Sequence, residues 1–61
     1  MESTDVIRVL EDDRWTLVIE DLIDKLRIYK HPKKQGQIMV PHPMTLPFGT
    51  AQSILRAAGL S

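Results

Sequence analysis

The chain has 61 residues, no cysteine, two histidines and eight acidic against eight basic residues. The missing cysteines exclude a disulfide framework and a thiolate metal site, and two histidines are too few for a structural zinc site without carboxylate help. A chain this short buries only about 60% of the surface that its unfolded form exposes. We therefore expect one marginal domain, residues 1–61, that depends on compact packing or on a partner chain.

The sequence carries no signal for a membrane, for secretion or for a cofactor. No apolar run approaches the roughly 20 residues that span a bilayer, and the first residues lack the basic and apolar regions of a signal peptide. There is no glycine-rich phosphate loop. We expect a soluble, cytoplasmic protein that uses no cofactor and no metal.

Charge is distributed unevenly along the chain. Residues 1–24 contain all eight acids and two basic residues, a net charge of −6, whereas residues 25–61 contain six basic residues and no acid, a net charge of +6. This asymmetry indicates an anionic partner for the second part of the chain. The alternative is that the two parts neutralise each other on the surface of the fold.

The first and last segments predict helices. Ser3 or Thr4 is a suitable cap for a first helix, whose apolar stripe comprises Val6, Ile7, Val9 and Leu10 and which should end at the acidic run 11–13. The last helix has Ala51, Ile54, Leu55 and Ala58 on its apolar face. Gly59 follows at the position where helices often end, and Leu60 is placed to pack back on the helix.

The central segment predicts a β-hairpin preceded by an ambiguous stretch. Residues 26–31 alternate until Pro32, residues 33–36 resemble a hairpin turn, and residues 37–40 return until Pro41. Residues 15–26 fit either a strand or a helical stripe. The β-branched residues favour a strand at the start of this stretch, and both structures remain open at residues 20–26.

A register with His31 opposite Gln37 would pair Tyr29 with Met39 and bring Leu26 near His42. This register directs Ile28, Ile38 and Val40 to the core and Arg27, Tyr29 and His31 to the other face. The predicted fold class is α+β, with an antiparallel sheet and two helices on one face. Trp15 is expected to anchor the core.

The basic segment is the strongest candidate for function. Phosphates attract lysine and arginine, and an exposed tyrosine can stack on an unpaired base. The predicted RNA-contacting residues are Lys25, Arg27, Tyr29, Lys30, His31, Lys33 and Lys34. The alternative is a solubilising outer face, on which lysines discourage edge pairing.

Catalytic residues are harder to find in this sequence. There is no cysteine, and the serines have no neighbouring histidine and carboxylate. His31 and His42 are the side chains that titrate near neutral pH. Each stands before a proline, where a histidine is more often a turn residue than a catalyst.

Three groups of residues together resemble the HicA family of type II toxin–antitoxin toxins. They are the Val-Ile-x-x-Leu helix before a Trp, the Arg-Ile-Tyr-Lys-His-Pro strand with the later Val-Pro-His-Pro, and the C-terminal pattern that contains Gly49-Thr50, residues 53–56 and residues 58–60. The resemblance covers nearly the whole chain. It implies an α-β-β-β-α fold like that of double-stranded-RNA-binding domains, with strands at about residues 15–20 and 25–31. It also implies an mRNA endonuclease held inactive by a HicB antitoxin.

One departure from this family affects the expected chemistry. The family carries Gly-Ser-His where its second strand begins, and its histidine is taken as catalytic, whereas the matching positions here are Asp24, Lys25 and Leu26. Three interpretations follow: a binding-only relative, an enzyme that uses another base such as His42, or an inactivated form. A different class of function is a protein-interaction module that binds a HicB-like antitoxin or self-associates through the apolar residues Val18, Leu22, Ile23 and Met44.

Overall fold

A computed structural model describes residues 1–60, and the predicted domain end at residue 61 lies outside them. In chain order the elements are α1 (Ser3–Asp12), β1 (Thr16–Asp21), β2 (Leu26–Lys30), β3 (Gln37–Pro41) and α2 (Phe48–Ala57). The strands form one sheet in the order β1-β2-β3, and both pairs are antiparallel. The predicted α+β class and the order of elements are therefore confirmed.

Helix α1 has the predicted apolar stripe but not the predicted cap. Val6, Ile7 and Leu10 are buried. The helix starts directly after Glu2, and no side chain caps its first N–H groups. Ser3, one of the two predicted caps, is instead buried inside the first turn, where its N–H donates to the carbonyl of Met44 at 2.9 Å.

Both helices end as the sequence predicts. After α1, Arg14 adopts a left-handed φ of 76° and the N–H of Trp15 donates to the Leu10 carbonyl at 3.0 Å. After α2, Gly59 has a φ of 75° and the N–H of Leu60 donates to the Leu55 carbonyl at 2.8 Å. This geometry satisfies carbonyls that would otherwise be unpaired at each helix end.

Residues 20–26, for which strand and helix were both open, form the end of β1 and a tight turn into β2. The carboxylate of Asp21 accepts hydrogen bonds from the N–H groups of Ile23 and Asp24, both at 3.0 Å. Lys25 closes the turn with a φ of 55°. A helix would bury Leu22 and Ile23, but these side chains are 78% and 92% exposed.

The register of the hairpin differs by one residue from the predicted register. Lys30, not His31, lies opposite Gln37, so Tyr29 pairs with Ile38 rather than with Met39. The physical reason is that the ring of His31 accepts N–H groups from the β2–β3 loop, which makes His31 a loop residue. Strand β2 therefore ends one residue early.

This register exchanges the faces of the β2 residues, so Arg27 lies on the side of the helices and its predicted place on the other face is wrong. Tyr29 lies in the core with no exposed surface, so its predicted exposure is wrong. Ile28 is half-buried on the opposite face, so its predicted place in the core is also wrong. Ile38 and Val40 are buried as predicted.

A single hydrophobic cluster joins one face of the sheet to both helices. It contains Val6, Ile7, Leu10, Trp15, Tyr29, Ile38, Val40, Leu46, Ala51 and Ala58. The helices therefore cover one face, as predicted, and Trp15 is the core anchor. The other face of the sheet, called the open face below, has no helix over it.

Replacing Tyr29 with alanine should unfold much of the protein at room temperature. Truncating a buried aromatic side chain costs about 3–5 kcal/mol, a large part of the stability of so small a domain. Circular dichroism during urea titration would measure the loss, and Tyr29→Phe, which keeps the ring, should retain a cooperative transition. If Tyr29→Ala were as stable as the parent, the tyrosine would not lie in the core.

Candidate nucleic-acid interface

The structure separates the seven predicted RNA-contacting residues by how their side chains are engaged. Lys25, Lys30 and Lys33 are exposed, and none makes an ion pair or a side-chain hydrogen bond with another residue in 1–60. They are called the free lysines below. The other four residues bind to the rest of the protein.

Arg27 is held by two neighbours on the side of the sheet that faces the helices. Its Nε donates to the carboxylate of Glu20 at 3.0 Å, and its Nη1 donates to the hydroxyl of Tyr29 at 3.2 Å. The hydrogen bond to Tyr29, together with the one to Glu20, raises the pKa of Arg27 above its ordinary value. Contact with a phosphate would compete with both bonds.

Tyr29 does not present its ring to a ligand. Its side chain is buried beneath the helices and its hydroxyl accepts the hydrogen bond from Arg27. Stacking on an unpaired base requires an exposed ring face. In this structure Tyr29 therefore has no exposed ring face for the predicted stacking on a base.

His31 acts as a connector between two loops. Its side chain is only 8% exposed, and its Nε2 lies 2.7 Å from the carbonyl oxygen of Asp13. Its Nδ1 accepts the N–H groups of Lys33 and Lys34 at 3.0 and 3.1 Å. Because Nδ1 accepts and Nε2 faces a carbonyl, the proton lies on Nε2 and neither ring nitrogen is available to a substrate.

Lys34 joins the β2–β3 loop to both helix ends. Its Nζ donates to the carboxylate of Asp13 at 2.5 Å and to the carbonyl of Ala58 at 2.9 Å. The second bond satisfies a carbonyl at the C-terminus of α2, where a positive charge is also favourable. Lys34 is thus a structural cation.

Leu26, which the resemblance matches to the family histidine, belongs to the open face of the sheet. The open face consists of three rows across the strands: Thr16, Lys30 and Gln37; Ile19, Ile28 and Met39; and Asp21, Leu26 and Pro41. Ile19 and Met39 in the central row are 54% and 51% exposed. This face is therefore apolar at its centre, with free lysines near both ends of β2.

His42 lies beside the start of β2, as predicted, but its ring is engaged elsewhere. Its backbone N–H donates to the Lys25 carbonyl at 2.9 Å. Its Nδ1 lies 2.8 Å from the hydroxyl of Ser3, and that hydroxyl accepts the N–H of Met44 at 3.1 Å. Because a hydroxyl has two lone pairs, Ser3 can either donate to Nδ1 or accept from it, while the Nε2 of His42 makes no hydrogen bond within residues 1–60.

Ser3 is the site residue that sequence reasoning missed. It lies 39 positions from His42, and a serine near a predicted helix start is typical of a cap. Within residues 1–60, no three histidine, cysteine or acidic side chains come together as a metal site requires. No helix in the same range is long and apolar enough to cross a membrane.

The fold and this surface define a small α+β protein with a sheet whose open face is bordered by free lysines. The model of the HicA toxin family of bacterial toxin–antitoxin systems matches residues 3–60. The chain belongs to this family, which confirms the resemblance and implies RNase-like function in a toxin–antitoxin pair, with an antitoxin as partner. No curated protein matches the chain.

Replacing Asp13 with asparagine should lower the stability of the protein at pH 7. The hydrogen bond from Lys34 lowers the pKa of Asp13 below its ordinary 3.8. A carboxylate with a lowered native pKa stabilises the fold above its unfolded pKa, and this contribution is lost as the pH falls through the native pKa. Urea titrations between pH 2 and pH 7 should show a smaller acid-side decrease for Asp13→Asn than for the parent.

The matched control is Asp12→Asn, at a neighbouring exposed carboxylate of α1 that has no ion pair among the described residues. It should leave both the stability at pH 7 and the acid-side slope nearly unchanged. Equal effects of the two substitutions would mean that the bond between Asp13 and Lys34 does not contribute to stability.

Proposed function

We propose that this chain is a HicA-family protein that binds RNA on its open face without cleaving it. The observation that carries the proposal is that Leu26, which the resemblance matches to the family's histidine, lies on a face bordered by free lysines. Lys25 lies at one end of β2 and Lys30 at the other, roughly 15 Å apart at the usual rise of a strand. They can therefore contact separate phosphates of one RNA strand.

The chemistry of RNA cleavage supports the proposal that this chain does not cleave RNA. Cleaving the RNA backbone at neutral pH requires a group that transfers a proton, for which histidine is the most common choice. Leucine cannot do this. His31 is hydrogen-bonded at both ring nitrogens, and the Nδ1 of His42 is bound to Ser3.

A non-catalytic interaction module is the second candidate function. The observation that favours it is the pair Leu22 and Ile23, which are almost fully exposed at the tip of the β1–β2 hairpin. A HicB-like antitoxin that bound this tip would also cover Lys25 and Leu26. Such a chain would retain the antitoxin partner of the family without an RNA ligand.

The Leu26→His variant should cleave a structured mRNA that the parent binds and leaves intact. Half-buried Leu26 lies in the open face, so we expect the imidazole to reach bound RNA without a change in the core. Gel analysis scores cleavage, and fluorescence anisotropy scores binding by both proteins. Cleavage by the parent would contradict the proposal, and loss of that cleavage in His42→Ala would identify the alternative base.

RNA affinity should depend on salt and on the free lysines. For single-stranded RNA, each lost phosphate contact reduces the slope of log K against log salt by about 0.7. Lys30→Gln should show this reduction, whereas Arg56→Gln, which removes an exposed cation from α2, should not. If the parent does not bind RNA at low salt, the free lysines serve a protein partner and the interaction-module function replaces this one.

A further inference from the structure

Exposed apolar side chains are concentrated on one edge of the molecule. Among residues 1–60, five of the nine exposed large apolar side chains belong to β1 or to the turn that follows it: Leu17, Val18, Ile19, Leu22 and Ile23. The two helices contact β3, and neither has a comparable contact with β1. The β1 edge is therefore the least covered part of the fold.

Strand β1 has a bulge and two acidic residues, but it lacks the lysine and proline that also protect edge strands. The order β1-β2-β3 leaves the outer N–H and C=O groups of β1 without strand partners. Lysine and proline commonly block such edges. Neither occurs in Thr16–Asp21, whereas the opposite edge strand ends at Pro41. The exposed apolar residues of this strand suit it to pairing with another strand.

The bulge in β1 makes the strand compatible with pairing to a copy of itself. Leu17 pairs with Tyr29 and Ile19 with Ile28, so Val18 is an extra residue. Thr16 and Asp21 then lie on the open face, and Leu17 and Glu20 lie on the helix side. An antiparallel pairing centred between Val18 and Ile19 places Thr16 opposite Asp21 and Leu17 opposite Glu20, so that each pair shares a face.

The charges at the two ends of β1 are complementary in this arrangement. Glu20, Asp21 and Asp24 follow one another at the end of the strand, whereas Arg14 precedes it and Lys30 lies beside its first residue. Antiparallel pairing places Asp21 of one copy opposite Thr16 of the other, next to Lys30, at both ends of the strand. Complementary charges of this kind favour one orientation of a pair.

We propose that a second copy of this chain pairs with β1 and forms a dimer with a continuous six-stranded sheet. The two-fold axis passes perpendicular to the sheet, between Val18 and Ile19, so the helices of both copies lie on the same side. The two open faces then join into one surface. The proposal concerns the free protein and does not depend on RNA binding.

Sedimentation equilibrium of the RNA-free protein over a concentration series tests the dimer. Ile19→Lys places two lysines, one from each copy, side by side at the two-fold axis and should weaken dimerisation several-fold, because like charges on neighbouring strands repel. Met39→Lys is the matched control, because Met39 flanks Ile28 from the other side with nearly equal exposure. It should dimerise like the parent, and circular dichroism should show both variants folded.

A second pair of variants tests the orientation. Thr16→Glu and Gln37→Glu each add an acid beside Lys30 on the open face, one on β1 and the other on β3. In the proposed dimer only Thr16→Glu faces Asp21 of the second copy, where like charges repel. Thr16→Glu should therefore weaken dimerisation several-fold at low salt and less at high salt, and Gln37→Glu should not.

Three results would overturn the proposal. A parent that remains monomeric at every concentration excludes the dimer. Equal weakening by Ile19→Lys and Met39→Lys indicates that the open faces pack against each other instead of the β1 edges. Unchanged dimerisation in all four variants assigns the contact to another surface.

Discussion

The fold depends on a hydrogen-bonded node at which the two helix ends meet the β2–β3 loop. Asp13 accepts from His31 through its carbonyl and from Lys34 through its carboxylate, and Lys34 also donates to the carbonyl of Ala58. Trp15 contacts the edge of the His31 ring at a centroid distance of 5.2 Å. Segments far apart in the chain are thus fixed to one another without a disulfide, which matters in a domain of this size.

The same node explains why the basic segment contributes fewer ligand-binding groups than its composition suggests. Lys34 and His31 are committed to Asp13, and Arg27 is committed to Glu20 and Tyr29. Two of these contacts, Asp13 with Lys34 and Glu20 with Arg27, join the acidic first part of the chain to the basic second part. Neutralisation within the fold therefore accounts for part of the charge asymmetry, and the free lysines and Arg56 are the cations that remain.

Local patterns predicted the elements well and the register poorly. The stripe of α1, the end of α2 at Gly59 and the turn before β3 each depend on residues within a few positions, where side-chain periodicity and backbone preference act. Strand alternation, in contrast, is compatible with two registers that differ by one residue and exchange the faces. The loop hydrogen bonds of His31 decide between them, and these form only in the folded chain. The bond between Ser3 and His42 was missed for the same reason.

The β1–β2 hairpin contains the residues on which the proposed function depends. Leu26 lies there on the open face, and Leu22 and Ile23 are exposed at its tip. Asp21 and the backbone of Lys25 hold the turn by local hydrogen bonding and a left-handed φ, so its shape does not require contacts with the core. Substitutions in this hairpin therefore change the exposed surface at little cost to the fold. Tyr29 and Arg27 lie further along β2 on the side of the helices, where they anchor the strand. Substitutions of these two residues would therefore disturb the fold.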